Sequence, residues 1–202
     1  MIPALQALEI LKEGNRRFVA GESAELHRTH KLVDNQEPFA IVLGCSDSRV
    51  PPEIVFDQGV GDMFVIRIAG NIVTPLELGS TEFAAIKFGP RLVVVLGHSC
   101  CGAVQATVET LASGKTAETA DLSAGMKTIV THIGQSVELA GDDMGNNMSA
   151  IVEQTVEKNV RHSVNAIRTG SSVLENLIAN EGVMVVGAKY ALETGRVEFL
   201  DC

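Results

Sequence analysis

Two short apolar runs constrain this chain more than any other feature in it. Phe39 to Leu43 and Arg91 to Leu96 are rich in Val, Ile and Leu, each reaches a glycine (Gly44, Gly97), and each is followed at once by side chains capable of chemistry. Length and β-branched content predict two buried strands, which belong to a largely parallel sheet. Behind the first come Cys45, Asp47 and Arg49 at alternate positions, so a thiol, a carboxylate and a guanidinium share one side of an extended segment. Behind the second come His98 and, three residues on, Cys101.

Taken alone, the first motif is a buried cysteine capping a strand beside an ordinary surface ion pair. The second run changes the reading. Adjacent parallel strands deliver both loops to the carboxyl edge of one sheet, where open α/β folds place their sites. Cys45, His98 and Cys101 then make a soft three-ligand set with one coordination position left over, the pattern of catalytic zinc (Zn2+); a closed structural site would ask for a fourth Cys or His.

At these residues the chain resembles the β-class carbonic anhydrases of the bacterial type. Cys45-x-Asp47-x-Arg49 followed by His98-x-x-Cys101 carries the likeness, which extends through Pro51-Pro-Glu, Gly61-Asp-Met-Phe-Val-Ile-Arg67 and Ala69-Gly-Asn71. The resemblance implies reversible hydration of CO2 to bicarbonate and a proton, by a zinc-bound hydroxide that Asp47 orients while Arg49 fixes the carboxylate. It also implies that Asp47 becomes a zinc ligand only in a closed form of the site. Gln36 matches a bicarbonate-binding glutamine often supplied across a subunit boundary, Phe64 and Phe83 match apolar pocket positions, and Gly102 contributes backbone. Plain core packing is an equally good account of each Phe taken singly. Some bacterial members carry a regulatory bicarbonate site built from Trp, Arg and Tyr; Arg67 and Tyr190 match, but Val42 stands at the Trp position. Two alternatives stay open: a hydrolase of carbon disulfide or carbonyl sulfide on the same fold, and a non-catalytic zinc or redox sensor using Cys100 and Cys101.

The rest of the chain fits one domain over residues 1–202, with a helical segment at 1–37 ahead of an α/β core at 38–202. A formal net charge of −9 argues against nucleic acid or acidic lipid as partner, since phosphate binding needs clustered Lys and Arg. No stretch is long and apolar enough to cross a bilayer, the first residues lack the pattern of a signal peptide, and four cysteines are too few for a disulfide framework, so a cytoplasmic location is expected.

Leu5, Leu8 and Leu11 recur at helical spacing between Pro3 and Phe18 and predict an amphipathic helix that packs on a partner subunit, in a homodimer or larger even assembly. His27 and His30, in the polar stretch 20–37, are read as solvated. Gly59-x-Gly61-x-x-Phe64 is not a dinucleotide fingerprint, because Phe64 replaces the third glycine and a strand follows rather than precedes it. Further strands are expected at Met63–Ile68, Val183–Tyr190 and Arg196–Leu200. Helices are expected from Pro52 to Phe56, from the capping box Thr74-Pro75-Leu-Glu77 to about Phe88, from about Ala103, and over 122–139, 149–168 and 172–180. His132 and His162 fall within helices and are read as surface or packing residues. The fold class this implies is α/β, a central mostly parallel sheet flanked by helices.

Overall fold

The computed structural model describes residues 2–23, 35–139 and 148–201. His27 and His30 lie outside the described residues. In chain order the elements are α1 (Ala4–Ala20), β1 (Ala40–Gly44), α2 (Pro52–Val55), β2 (Met63–Arg67), a 3-10 turn (Ala69–Asn71), α3 (Pro75–Lys87), β3 (Leu92–His98), α4 (Gly102–Ala112), α5 (Ala124–Gly134), α6 (Met148–Thr169), α7 (Ser172–Glu181), β4 (Met184–Tyr190) and β5 (Val197–Leu200).

The five strands form one sheet in the order β2-β1-β3-β4-β5, parallel except for the β4 and β5 pair. β1 and β3 sit inside, and every residue of both is buried. Their side chains alternate between two cores, as a pleated strand requires. Val42, Leu92, Val94 and Leu96 face α1, together with Ala188 and Tyr190. Ile41, Leu43, Val93 and Val95 face the other way, onto α3, α6 and α7 through Ala84, Val160, Val164, Ile167 and Leu174. The Val152, Val156, Val160 and Val164 stripe of α6 is buried throughout, and a Cβ on Gly97 would come within 2.5 Å of Val160 Cγ2. Only glycine lets α6 lie this close to the end of β3.

The sequence alone expects α1 to pack on a partner subunit; within its own chain the helix already buries one face. Ala4, Ala7 and Leu11 are buried, and Asn15 pins the helix by donating to the carbonyls of Val55 (3.0 Å) and Gly195 (2.8 Å) while accepting from the Val197 amide (2.8 Å). What remains for any neighbour is the opposite side, where Leu5 is exposed. α3 begins with the expected capping box, Thr74 and Glu77 each satisfying the other's backbone. The helix expected over 122–139 is shorter, starting after the Ser123 cap and ending at Gly134. Among the described residues no helix is long and apolar enough to cross a membrane.

Candidate metal centre

The strand order 2-1-3 means that the chain leaves β1 toward β2 on one side while β3 lies on the other. The loops after β1 and β3 therefore part at a topological switch point, which opens a crevice at the carboxyl edge. Register decides what meets there. Gly44 pairs with Leu96, so Cys45, one residue past β1, and His98, the last residue of β3, leave the sheet side by side. Cys101 follows as the N-cap of α4.

These three residues are buried, and their ligand atoms all lie within 4.8 Å of one another. Cys45 Sγ and Cys101 Sγ are 4.0 Å apart. His98 donates from Nδ1 to the Ser99 carbonyl at 2.9 Å, which leaves Nε2 as the free ring nitrogen, buried and without a hydrogen-bond partner. An unsatisfied imidazole nitrogen in a sealed site is costly unless something coordinates it. Two soft sulfurs and that nitrogen suit a borderline-soft cation such as zinc.

The electrostatics agree with that use. The hydrogen bond with Cys101 above all, then the neighbouring His98 imidazole and the Gly70 amide (3.3 Å from Sγ), hold the Cys45 thiol below its usual range although burial pushes it up. Cys101 moves the other way, because its proton is shared with Cys45 and because it is buried, while the amides of Val104 and Ala103 at the start of α4 oppose the rise. Burial works to lower the His98 pKa, but Cys45, the Ser99 carbonyl and Asp47 together raise it. Proton sharing of this kind marks a donor set that a cation can take over with release of protons.

Asp47 lies beside the three. Its Oδ2 is 4.0 Å from His98 Nε2, and Arg49 grips the carboxylate from its backbone amide (2.9 Å), Nε (2.9 Å) and Nη2 (2.7 Å). The guanidinium holds the carboxyl well below the usual carboxylate range. Arg49 Nη2 also reaches the Cys100 carbonyl at 3.4 Å and so ties the β1 loop to the β3 turn.

A family model described as "Carbonic anhydrase" matches residues 40–197, which contain both loops. The chain belongs to the β-class carbonic anhydrases. Among curated relatives of this family, carbonic anhydrase 2 of Mycobacterium tuberculosis is 38% identical over 200 residues, covering 96% of this chain and 92% of its own length. The carbonic anhydrase of Mycolicibacterium smegmatis is 39% identical over 196 residues, with 95% and 91% covered. In fold, the chain superposes on a tetrameric β-carbonic anhydrase of Sordaria macrospora with a TM-score of 0.70 at 23% identity, over 85% of each chain.

The remaining family-matched positions divide by place. Gly102 opens α4 next to Cys101. Gln36 is exposed on the segment before β1, at the end of that strand away from Cys45. Phe64 pairs with Ile41 in the amino-terminal half of the sheet edge and clusters with Phe83 (6.2 Å between centroids) and Phe88 (6.0 Å). Within one chain, then, Gln36, Phe64 and Phe83 are not brought to the Cys45, His98 and Cys101 group. His132 and His162 lie on helices, partly exposed and exposed respectively.

Arg67 carries a role that spacing does not reveal. It donates from Nε to the Cys45 carbonyl (3.0 Å) and from Nη2 to that of Asp47 (2.6 Å), bracing the first loop from β2. It ends β2, the next strand, opposite Gly44 in the register, and nothing in the spacing of the two motifs signals that contact. Tyr190 is buried against Phe18, and Val42 lies in the same core.

Proposed function

We propose that the chain is a zinc-dependent enzyme that hydrates carbon dioxide reversibly to bicarbonate and a proton. The observation that carries this reading is the buried, unpartnered His98 Nε2 facing two cysteine sulfurs, with an Arg49-held carboxylate 4.0 Å away. Cys45, His98 and Cys101 would hold the metal, which supplies a Lewis acid able to bring a water to nucleophilic form near neutral pH.

The chain's own residues do the rest. Asp47, kept ionised by Arg49, accepts a hydrogen bond from the attacking water and so aims a lone pair at the carbon of CO2. Both its oxygens are engaged by the three hydrogen bonds from Arg49, which favours the arrangement in which Asp47 orients water over the one in which it ligates zinc. Arg67 keeps the loop carrying Cys45 and Asp47 in place, and the Ser99 carbonyl presents His98 through Nε2. The amides opening α4 at Gly102 suit an anionic product oxygen.

The assembly we propose is a homodimer or larger even oligomer. α3 exposes Leu76, Phe83 and Ile86 at helical spacing, and Phe83 contacts Phe64 of the outer strand β2, so the apolar surface is continuous with a sheet edge. A second copy laid there would bring Gln36, Phe64 and Phe83 toward the partner's site, and the tetrameric relatives of Sordaria macrospora support such an arrangement. A cytoplasmic location accompanies this reading, since reducing conditions keep ligand thiols available.

A redox sensor is the poorer account: burial and the Glu193 carboxylate push the exposed Cys100 thiol up, away from reactive thiolate. The deciding experiment measures zinc per chain and stopped-flow CO2 hydration on one preparation, with carbon disulfide and carbonyl sulfide assayed alongside. One zinc per chain with rapid CO2 hydration is expected. Hydrolysis of either sulfur compound with no CO2 hydration would replace the proposal.

A further inference from the structure

Among the described residues only Asp57, Asn71 and Cys100 combine a side chain with a left-handed backbone, and Cys100 (φ +53°) sits between His98 and Cys101. A residue with a Cβ keeps that conformation only where its surroundings hold it. Charged groups hold Cys100 on both sides. Its amide donates to Glu153 Oε1 of α6 at 3.2 Å, and its carbonyl accepts from Arg49 Nη2 at 3.4 Å. Glu153 is itself aimed: its Oε2 is 3.2 Å from Lys189 Nζ, which also pairs with Glu157 Oε1 at 2.8 Å. Lys189 lies opposite Gly97 in the sheet, directly beneath the turn.

We propose that Glu153, oriented by Lys189, is a positioning residue for CO2 hydration. By fixing the Cys100 amide it sets the turn so that the Cys100 carbonyl meets Arg49, and Arg49 then presents Asp47 at a fixed angle. Arg49 is a long, half-exposed side chain, and its bond to Cys100 is where the Asp47 and Arg49 pair touches the second loop. Without it the two could keep their mutual hydrogen bonds and still swing as a unit. The inference rests on the proposed role of Asp47 and Arg49.

The test compares Glu153→Ala, Glu153→Gln and Lys189→Ala in the full chain. In zinc-free protein, NMR hydrogen exchange at the Cys100 amide should quicken by about fivefold in Glu153→Ala, the scale of one hydrogen bond, and stay near wild type in Glu153→Gln, whose amide oxygen still accepts. In zinc-loaded protein, Glu153→Ala should keep one metal per chain and lose kcat by about fivefold, Lys189→Ala should lose less, and Glu153→Gln should recover most of the rate. In an Arg49→Ala background the same Glu153→Ala change should alter kcat by less than about twofold, because the path it acts through is already cut. Unchanged amide exchange, wild-type turnover, equal losses in both backgrounds, or a rate that falls only in step with lost zinc would each overturn the proposal. If wild-type protein failed to hydrate CO2, the functional reading would fall instead, and the exchange comparison would still judge whether Glu153 holds the turn.

Discussion

The two flanks of β1 are finished differently. At its carboxyl end the β1 loop and β3 turn interlock within one chain: Arg49 bridges them, Arg67 braces the first, Glu153 and Glu193 contact the second, and the ligand atoms are sealed from solvent. Along the β2 side the surface is open and apolar, with Leu76 79% exposed, Ile86 66% and Phe83 54% on α3. A polar site must be closed with matched partners, since each buried unpaired group costs about 1–3 kcal/mol. An apolar surface tolerates water until another apolar surface arrives. Metal binding should therefore be a property of the single chain, and the missing pocket residues a property of the assembly.

The strongest way to break that contrast is at the metal. Cys101→Ser removes a soft ligand from a three-ligand set and should abolish zinc binding and CO2 hydration together, as read by metal analysis and stopped-flow assay. Full zinc and activity in that variant would move the ligand to Cys100. Next in size is Arg49→Ala, which should lower turnover by about 10²-fold with zinc retained, the scale of a misplaced catalytic group. Wild-type turnover there would show that Asp47 needs no support. The mildest perturbation on the site itself comes from the open flank: Leu76→Glu with Phe83→Glu should halve the mass seen by sedimentation while each chain still takes up one zinc. Loss of zinc in the separated chains would mean that the site is not complete within one chain, and the distinction between the flanks would collapse.

Strand and helix placement was largely legible because these segments carry strong local signals. The runs before Gly44 and Gly97, the Thr74 to Glu77 capping box and the valine stripe of α6 each state their own conformation through composition and period. The helix expected over 122–139 shows the limit, since Val137 and Leu139 look helical in a window but lie past the end of α5 at Gly134. The segments of its own chain that α1 meets were likewise not readable. An amphipathic pattern says that one face is buried, and Asn15, which ties it to Val55, Gly195 and Val197, gives no hint in sequence of partners so distant.

By itself the sequence determined which residue types stand at two strand ends, and a thiol, an imidazole and a second thiol there restrict the chemistry whatever surrounds them. Only the tertiary structure decided the rest. The register of Gly44 against Leu96 sets Cys45 beside His98, Nδ1 bonding to Ser99 leaves Nε2 as the free nitrogen, and the left-handed Cys100 turns its carbonyl to Arg49 and its amide to Glu153. The reason is that strands and caps are written in neighbours a few residues apart, whereas Glu153 and Cys100, 53 positions apart, meet only because α6 packs across the end of β3 over Gly97.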